Sequence, residues 1–133
     1  MTLTADDRIE LHELVARYGN VVDDCDLAAL GSVYADDAVM VLLLANGREV
    51  RKQGLAEIGE FLAGSNSTNA HILTNVTTAV EDGDVVLRYR MGAPPSSRTG
   101  AAELFSIDYR DVCVRTDAGW RLAHHTITMR TKG

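Results

Sequence analysis

Four residues in two parts of the chain have side chains that could perform acid–base chemistry. Tyr18 lies near the end of the first amphipathic segment, Asp23 and Asp24 follow it, and His71 opens a later apolar run. An imidazole, with an unperturbed pKa of about 6.5, can remove a proton from a carbon beside a carbonyl at neutral pH. A carboxylate on its other ring nitrogen would fix the tautomer and stabilise the imidazolium, and a tyrosine hydroxyl could donate to the developing enolate oxygen or assist a leaving hydroxide. These residue types predict an acid–base site in a small pocket.

Helical geometry does not choose between the two aspartates. At about 100° per residue, Asp23 and Asp24 both fall outside the stripe formed by Leu11, Tyr18 and Val22. A histidine beside apolar residues on a strand often packs in the core, and a tyrosine in an apolar stripe is by default a core residue with a bonded hydroxyl. The acid–base prediction therefore competes with plain packing.

Two further histidines are adjacent on the last predicted strand. Strict alternation puts His124 on the face of Trp120 and Leu122, and His125 on the face of Ile127. Both faces are partly apolar, so either histidine could reach a pocket, and His124 is retained as a pocket candidate. The chain has four histidines, but none are spaced as a helical ligand pair or in a Cys/His cluster, so we expect no metal and no cofactor.

The helices that must position these residues are predicted from capping and periodicity. Thr4 with Asp7 resembles a capping box, and apolar residues then recur on one helix face. Asp26 can cap a second helix, and a third pattern stops at a glycine. The three predicted helices are Thr4–Asp23, Leu27–Tyr34 and a short one from Leu55 that stops at Gly64.

The strands are predicted from β-branched runs separated by turn residues, including Asn46-Gly47 between the first two. A Gly/Pro/Ser loop at Gly92–Gly100 could form the pocket rim or be a plain solvated connection. Helices gathered early and strands later indicate an α+β domain with the helices on one face of a curved sheet. The six predicted strands are Val39–Leu44, about Arg48–Arg51, Ala70–Val80, Val85–Met91, Glu103–Val114 and Trp120–Met129.

Composition restricts the partners and the location. With 133 residues, the chain fits one domain, 1–133. A net charge of -6 without a Lys/Arg cluster argues against nucleic acid or an anionic membrane as the partner. No apolar run approaches the ~18 residues of a membrane span and no signal-peptide pattern opens the chain, so a cytoplasmic protein is expected. Cys25 and Cys113 lack C-x-x-C spacing and are interpreted as packing thiols.

Several short motifs follow one another in a fixed order: Tyr18-Gly-Asn-Val-Val-Asp23, Tyr34-Ala-Asp-Asp-Ala38, His71-Ile-Leu-Thr-Asn75, Tyr109-Arg-Asp111 and Gly119-Trp120-Arg121. Their order and spacing resemble the SnoaL-like group of the nuclear-transport-factor-2-like (NTF2-like) superfamily, over nearly the whole chain. The resemblance implies a cone-shaped, cystatin-like barrel: a curved, mostly antiparallel sheet with three helices from the N-terminal half packed on it. It also implies a homodimer or homotrimer.

Members of this group, such as scytalone dehydratase, bile-acid 7α-dehydratase and hexachlorocyclohexane dehydrochlorinase, use an Asp–His pair to remove a proton during an elimination. Asp23 and His71 stand at the matching positions, 48 residues apart (71 minus 23), and Tyr18 stands where the bile-acid enzyme has a functional tyrosine. The dehydratases place another tyrosine on the first strand, where this chain has an aliphatic run that includes Leu42. That departure weakens any inference of the same substrate.

The resemblance therefore implies a cofactor-independent lyase or isomerase that acts on a small apolar molecule with an acidic C–H. Asp23 would orient, His71 would abstract and Tyr18 would assist. The predicted substrate-binding residues are Tyr34, Leu42, Tyr89, Tyr109 and His124. Polyketide-cyclase-type aldol chemistry and a non-catalytic binding or assembly module remain the alternatives.

Overall fold

The computed structural model describes residues 1–65, 70–92 and 104–131. The first half of the chain contains the helices and two strands, and the second half contains four strands. In chain order the elements are α1 (Ala5–Asp23), a 3-10 helix (Leu27–Ser32), β1 (Tyr34–Leu43), β2 (Glu49–Gln53), α2 (Gly54–Ala63), β3 (Leu73–Glu81), β4 (Asp84–Gly92), β5 (Leu104–Thr116) and β6 (Gly119–Thr131).

All six strands belong to one sheet in the order β2-β1-β6-β5-β4-β3. The β1–β6 pair is parallel and the other four pairs are antiparallel. The sheet is curved but its described strands do not close into a barrel, since β2 and β3 stand at opposite ends of the order. The predicted α+β fold, with helices packed on a curved and mostly antiparallel sheet, is confirmed.

The start of α1 is held by hydrogen bonds within its own first turn and by hydrogen bonds to the sheet. The predicted capping box is confirmed: Thr4 Oγ1 accepts from the Asp7 backbone N–H at 3.0 Å, and the Asp7 carboxylate accepts from the Thr4 N–H at 2.9 Å. Asp7 also accepts from Arg115 at 2.7 Å and from Trp120 Nε1 at 3.2 Å. The Thr4 N–H is the largest cause that lowers the pKa of Asp7, to about 2. This one carboxylate joins the first helix to β5 and β6.

The second predicted helix is shorter than expected and is a 3-10 helix. The Asp26 side chain makes no cap hydrogen bond, so its predicted capping role is wrong. Tyr34, the predicted last residue of that helix, instead begins β1, where it is buried and pairs with Leu122 of β6. Burial of the Tyr34 ring in the core thus ends the helix early.

The remaining boundaries differ by a few residues. The register of β1 against β6 shifts between Tyr34 and Val39, and the exposed Asp36 and Asp37 lie within this part of the strand. Glu103, the predicted first residue of the fifth strand, lies outside the described residues, as does the Gly92–Gly100 loop beyond its first residue. Among the described residues, no helix is long and apolar enough to span a membrane.

Candidate active site

A cavity of about 180 Å³ lies between the concave face of the sheet and the helices. Its polar residues are Tyr18, Ser65, His71 and Tyr109. Three methionines contribute flexible, polarizable side chains that adapt to ligands of different shape. The apolar residues that line the cavity are Val22, Met40, Leu42, Phe61, Leu62, Met91, Ile107, Ile127 and Met129.

His71 and Asp23 are in direct contact at one side of this cavity. His71 Nδ1 lies 2.5 Å from Asp23 Oδ1, and the His71 backbone N–H donates to the same carboxylate at 3.1 and 2.9 Å. A carboxylate accepts only, so Nδ1 carries the ring proton when the imidazole is neutral. Nε2 is then an unprotonated acceptor. The His71 side chain is 11% exposed and that of Asp23 is 26% exposed, so the pair is partly shielded from water.

The local sequence explains this contact. Asp23 is the last residue of α1 and His71 comes just before β3, which packs against α1. Gly19 lies where the helix meets this segment: a Cβ there would stand 3.2 Å from Leu73 Cδ1 and 3.5 Å from the His71 carbonyl oxygen. Asp24 is the C-cap of α1 and is exposed. The structure therefore brings Asp23, and not Asp24, to His71.

Tyr18 and Tyr109 add two buried hydroxyl groups beside the pair. The Tyr18 ring lies 5.9 Å from the His71 ring and 5.9 Å from the Tyr109 ring, centroid to centroid. The two hydroxyls lie close enough to influence each other's pKa. Burial raises the pKa of Tyr18 well above its ordinary value, and burial raises that of Tyr109 to about 12. Both hydroxyls therefore stay protonated at neutral pH and can act as hydrogen-bond donors.

The profile of the SnoaL-like domain family matches residues 3–126. This protein belongs to the SnoaL-like domain family. The family includes dehydratases, isomerases and polyketide cyclases. No curated protein matches the chain.

Solved structures share the fold of this SnoaL-like domain. An NTF2-like protein with a cystatin-like fold from Novosphingobium aromaticivorans is 25% identical, with a TM-score of 0.69, over 93% of this chain and 82% of that chain. A second protein from that organism, provisionally described as an aromatic ring hydroxylase, is 24% identical, with a TM-score of 0.72, over 98% and 94%. A protein of unknown function from Nostoc punctiforme is 19% identical, with a TM-score of 0.72, over 98% and 96%.

The structure of this SnoaL-like domain separates the predicted substrate-binding residues into two groups. Leu42 and Tyr109 line the cavity. Tyr34 and Tyr89 lie outside its lining and are buried in the core. His124 is also outside the lining and is only partly buried, which corrects its prediction as a pocket residue.

A β-bulge explains the error for His124. On β6, Leu122 pairs with Cys113 and His124 pairs with the adjacent Val112, so Ala123 is an extra residue with no partner on β5. Alternation reverses at that point. The concave face of β6 therefore carries the side chains on both sides of the bulge that are buried or line the cavity, namely Trp120, Leu122, His125, Ile127 and Met129.

Sequence reasoning missed a second Asp–His contact beneath the cavity. His125 Nδ1 lies 2.5 Å from Asp111 Oδ1, and Tyr89 donates its hydroxyl to Asp111 Oδ2 at 2.6 Å. The register that pairs Asp111 with His125 could have identified it, but only if the bulge had been known. Within the described residues, no group of three or more His, Cys, Asp or Glu residues could hold a metal ion.

Proposed function

We propose that this SnoaL-like domain is a cofactor-independent lyase or isomerase that removes a proton from a carbon beside a carbonyl group. The observation that carries the proposal is the 2.5 Å contact between Asp23 and His71 Nδ1, at a histidine that lines a partly open and largely apolar cavity. The contact leaves Nε2 as the basic atom of the ring.

Asp23 holds the imidazole by its Nδ1–H and by the His71 backbone N–H, so both ring orientation and tautomer are fixed. His71 Nε2 takes the proton from the substrate carbon, and the imidazolium that forms is stabilised by the Asp23 carboxylate. The electron pair of the broken C–H bond moves to the carbonyl oxygen, and the product of this step is an enolate.

We assign Tyr109 as the donor to that enolate oxygen, because Tyr109 lines the cavity and its hydroxyl, with a pKa raised to about 12, stays protonated at neutral pH. Donors aimed at developing charge lower the barrier most. In an elimination the enolate expels a leaving group from the next carbon. In an isomerisation His71 returns the proton to a different carbon. A polyketide-type aldol cyclisation begins with the same enolate.

The cavity indicates the size and polarity of the substrate. An apolar protein cavity of about 150 Å³ binds benzene, so about 180 Å³ accommodates a single substituted ring. The described lining residues include no lysine or arginine to pair with an anionic group. We therefore infer an uncharged substrate with one carbonyl oxygen facing Tyr109 and an acidic C–H facing His71.

Proton abstraction can be tested without knowledge of the natural substrate. In D2O buffer, proton NMR follows solvent deuterium entering the carbon beside the carbonyl of 2-indanone, a small ketone of suitable size. We expect His71→Gln to reduce the enzyme-catalysed exchange by about 10²-fold or more, since general-base catalysis contributes about 10²–10⁴-fold. His12→Gln is the matched control, because His12 is exposed on α1 and bonds only the Arg8 carbonyl oxygen of its own helix among the described contacts.

The proposal fails if His71→Gln exchanges 2-indanone as fast as the wild type, or if His12→Gln loses as much activity as His71→Gln. A wild-type protein that catalyses no exchange on 2-indanone or a panel of comparable ketones would instead favour a non-catalytic binding module.

A further inference from the structure

A second acid–base pair lies wholly inside the core. Asp111 and His125 have no exposed surface. Asp111 accepts from two rings at once, from His125 Nδ1 at 2.5 Å and from the Tyr89 hydroxyl at 2.6 Å. A single carboxylate therefore fixes the orientation of one ring on β6 and one ring on β4.

Stability alone does not account for this pair. With its Nδ1–H given to Asp111, His125 presents Nε2 as a lone pair, and that atom has no hydrogen-bond partner in the described structure. The buried hydroxyl of Tyr34 also has none there. Unpaired buried polar atoms destabilise a fold, and apolar side chains of similar shape usually fill a core at lower free energy. Such groups call for another explanation, and their position provides one.

The two rings held by Asp111 both stack on Tyr109. The Tyr89 and Tyr109 rings lie 4.6 Å apart at an interplanar angle of 5°, and the His125 and Tyr109 rings lie 5.6 Å apart at 28°. The His125 ring also meets the Tyr18 ring edge-on at 4.7 Å. The two tyrosines of the cavity thus rest on rings whose orientation Asp111 sets.

We propose that Asp111 and His125 are positioning residues, which hold the rings of Tyr109 and Tyr18 so that the Tyr109 hydroxyl points its hydrogen at the substrate oxygen. The inference rests on the proposed function, since it concerns the oxyanion donor of that reaction. A donor of this kind must be held to within about 0.5 Å of its productive position, which an unsupported ring on a strand does not ensure.

The charge of Asp111 also favours the protonated form of the two cavity tyrosines. It contributes to raising the pKa of both Tyr18 and Tyr109, after the larger effect of burial. Both hydroxyls are therefore kept as neutral donors, which are the forms the reaction requires.

The test measures hydrogen-bond donation by Tyr109 directly, with 4-nitrophenolate as the probe. Its oxygen imitates the enolate oxygen, its ring fits the cavity, and its visible absorbance reports binding. We expect Tyr109→Phe to weaken binding about tenfold or more, the usual effect of losing a hydrogen bond to a charged group. Asp111→Asn should weaken it several-fold. The double variant Tyr109→Phe/Asp111→Asn should bind no more weakly than Tyr109→Phe alone.

That non-additivity separates positioning from a purely structural role. If Asp111 acts through Tyr109, its substitution has no effect once the Tyr109 hydroxyl is gone. Independent losses that add in the double variant would overturn the proposal, as would Asp111→Asn binding with wild-type affinity. Absence of 4-nitrophenolate binding by the wild type would also overturn it, because the cavity would then lack the donor.

Tyr89→Phe is the milder second variant, for use if Asp111→Asn does not fold. It removes one of the two rings' bonds to Asp111 and leaves the His125 bond in place. It should weaken 4-nitrophenolate binding in the same non-additive way. Binding of 4-nitrophenolate does not require proton abstraction by His71. Absence of deuterium exchange by the wild type therefore counts against the proposed function, whereas additive binding losses in the double variant count against positioning by Asp111.

Discussion

Replacing Asp23 by asparagine should abolish most of the catalysed proton exchange while leaving the fold intact. The carboxylate accepts the His71 Nδ1–H on Oδ1 and the His71 backbone N–H on both oxygens. An asparagine keeps one oxygen and replaces the other with an NH2 group. If the oxygen stays on the backbone N–H, the NH2 group faces Nδ1, which must then become an acceptor, and the ring proton moves to Nε2.

The size of the effect follows from that tautomer change. With the proton on Nε2, the atom facing the cavity can no longer accept one. General-base catalysis contributes about 10²–10⁴-fold, so the loss corresponds to about 3–5 kcal/mol of transition-state stabilisation. The effect on folding is much smaller. The Asp23 side chain is 26% exposed, and its bonds to His71 contribute about 1 kcal/mol to the free energy of unfolding.

The assay is deuterium exchange into 2-indanone, measured as kcat/KM, together with nitrogen NMR of the His71 ring to identify the protonated nitrogen. Asp24→Asn is the matched control: it makes the same change in net charge one residue away, at an exposed C-cap. The reasoning is refuted if Asp23→Asn retains exchange within about threefold of the wild type with the Nδ1–H tautomer unchanged. It is also refuted if Asp24→Asn is equally impaired.

Three further outcomes are expected. The four tyrosines all have pKa values raised mainly by burial, so the folded protein should show no phenolate absorbance near pH 10. Their contribution to stability is present below the unfolded pKa of about 10 and is lost as pH rises further. An alkaline unfolding titration measures this loss. Asp7 has a pKa lowered to about 2, so the stability it contributes is present above pH about 4 and is lost as pH falls towards 2. The free energies of unfolding of Asp7→Asn and the wild type, measured by chemical denaturation, should therefore converge over that range. A thiol reagent should modify exposed Cys25 quickly and buried Cys113, whose thiol pKa is raised by burial, only after unfolding; equal rates would contradict this.

The fold was predictable because its signals are local. The capping box at Thr4, the turn at Asn46-Gly47 and the apolar periodicity each depend on a few neighbouring residues. The contact between Asp23 and His71 joins residues far apart in sequence, and the family spacing predicted it where helical periodicity could not. Its catalytic role stays a prediction.

The failures come from interactions that only the assembled sheet creates. Ala123 forms a bulge because β5 and β6 pair with unequal numbers of residues there. The β6 sequence alone does not predict the position of this bulge. That single extra residue decided which histidine faces inward. Asp26 is a favourable N-cap residue by type, yet its side chain makes no cap hydrogen bond. Tyr34 is buried in the core and belongs to β1 rather than to the preceding helix.

The position of β6 constrains the order in which the protein can fold. This strand lies between β1 and β5, and it pairs in parallel with β1 although 75 residues of chain (119 minus 43, minus 1) separate the end of β1 from the start of β6. Until residues 119–131 leave the ribosome, β1 lacks its central neighbour and the cavity lacks Ile127 and Met129. A nascent chain would expose the apolar face of β1 and the Tyr109 side of β5 during that interval. Folding of this domain is therefore expected to be limited by closure of one long loop rather than by formation of its helices.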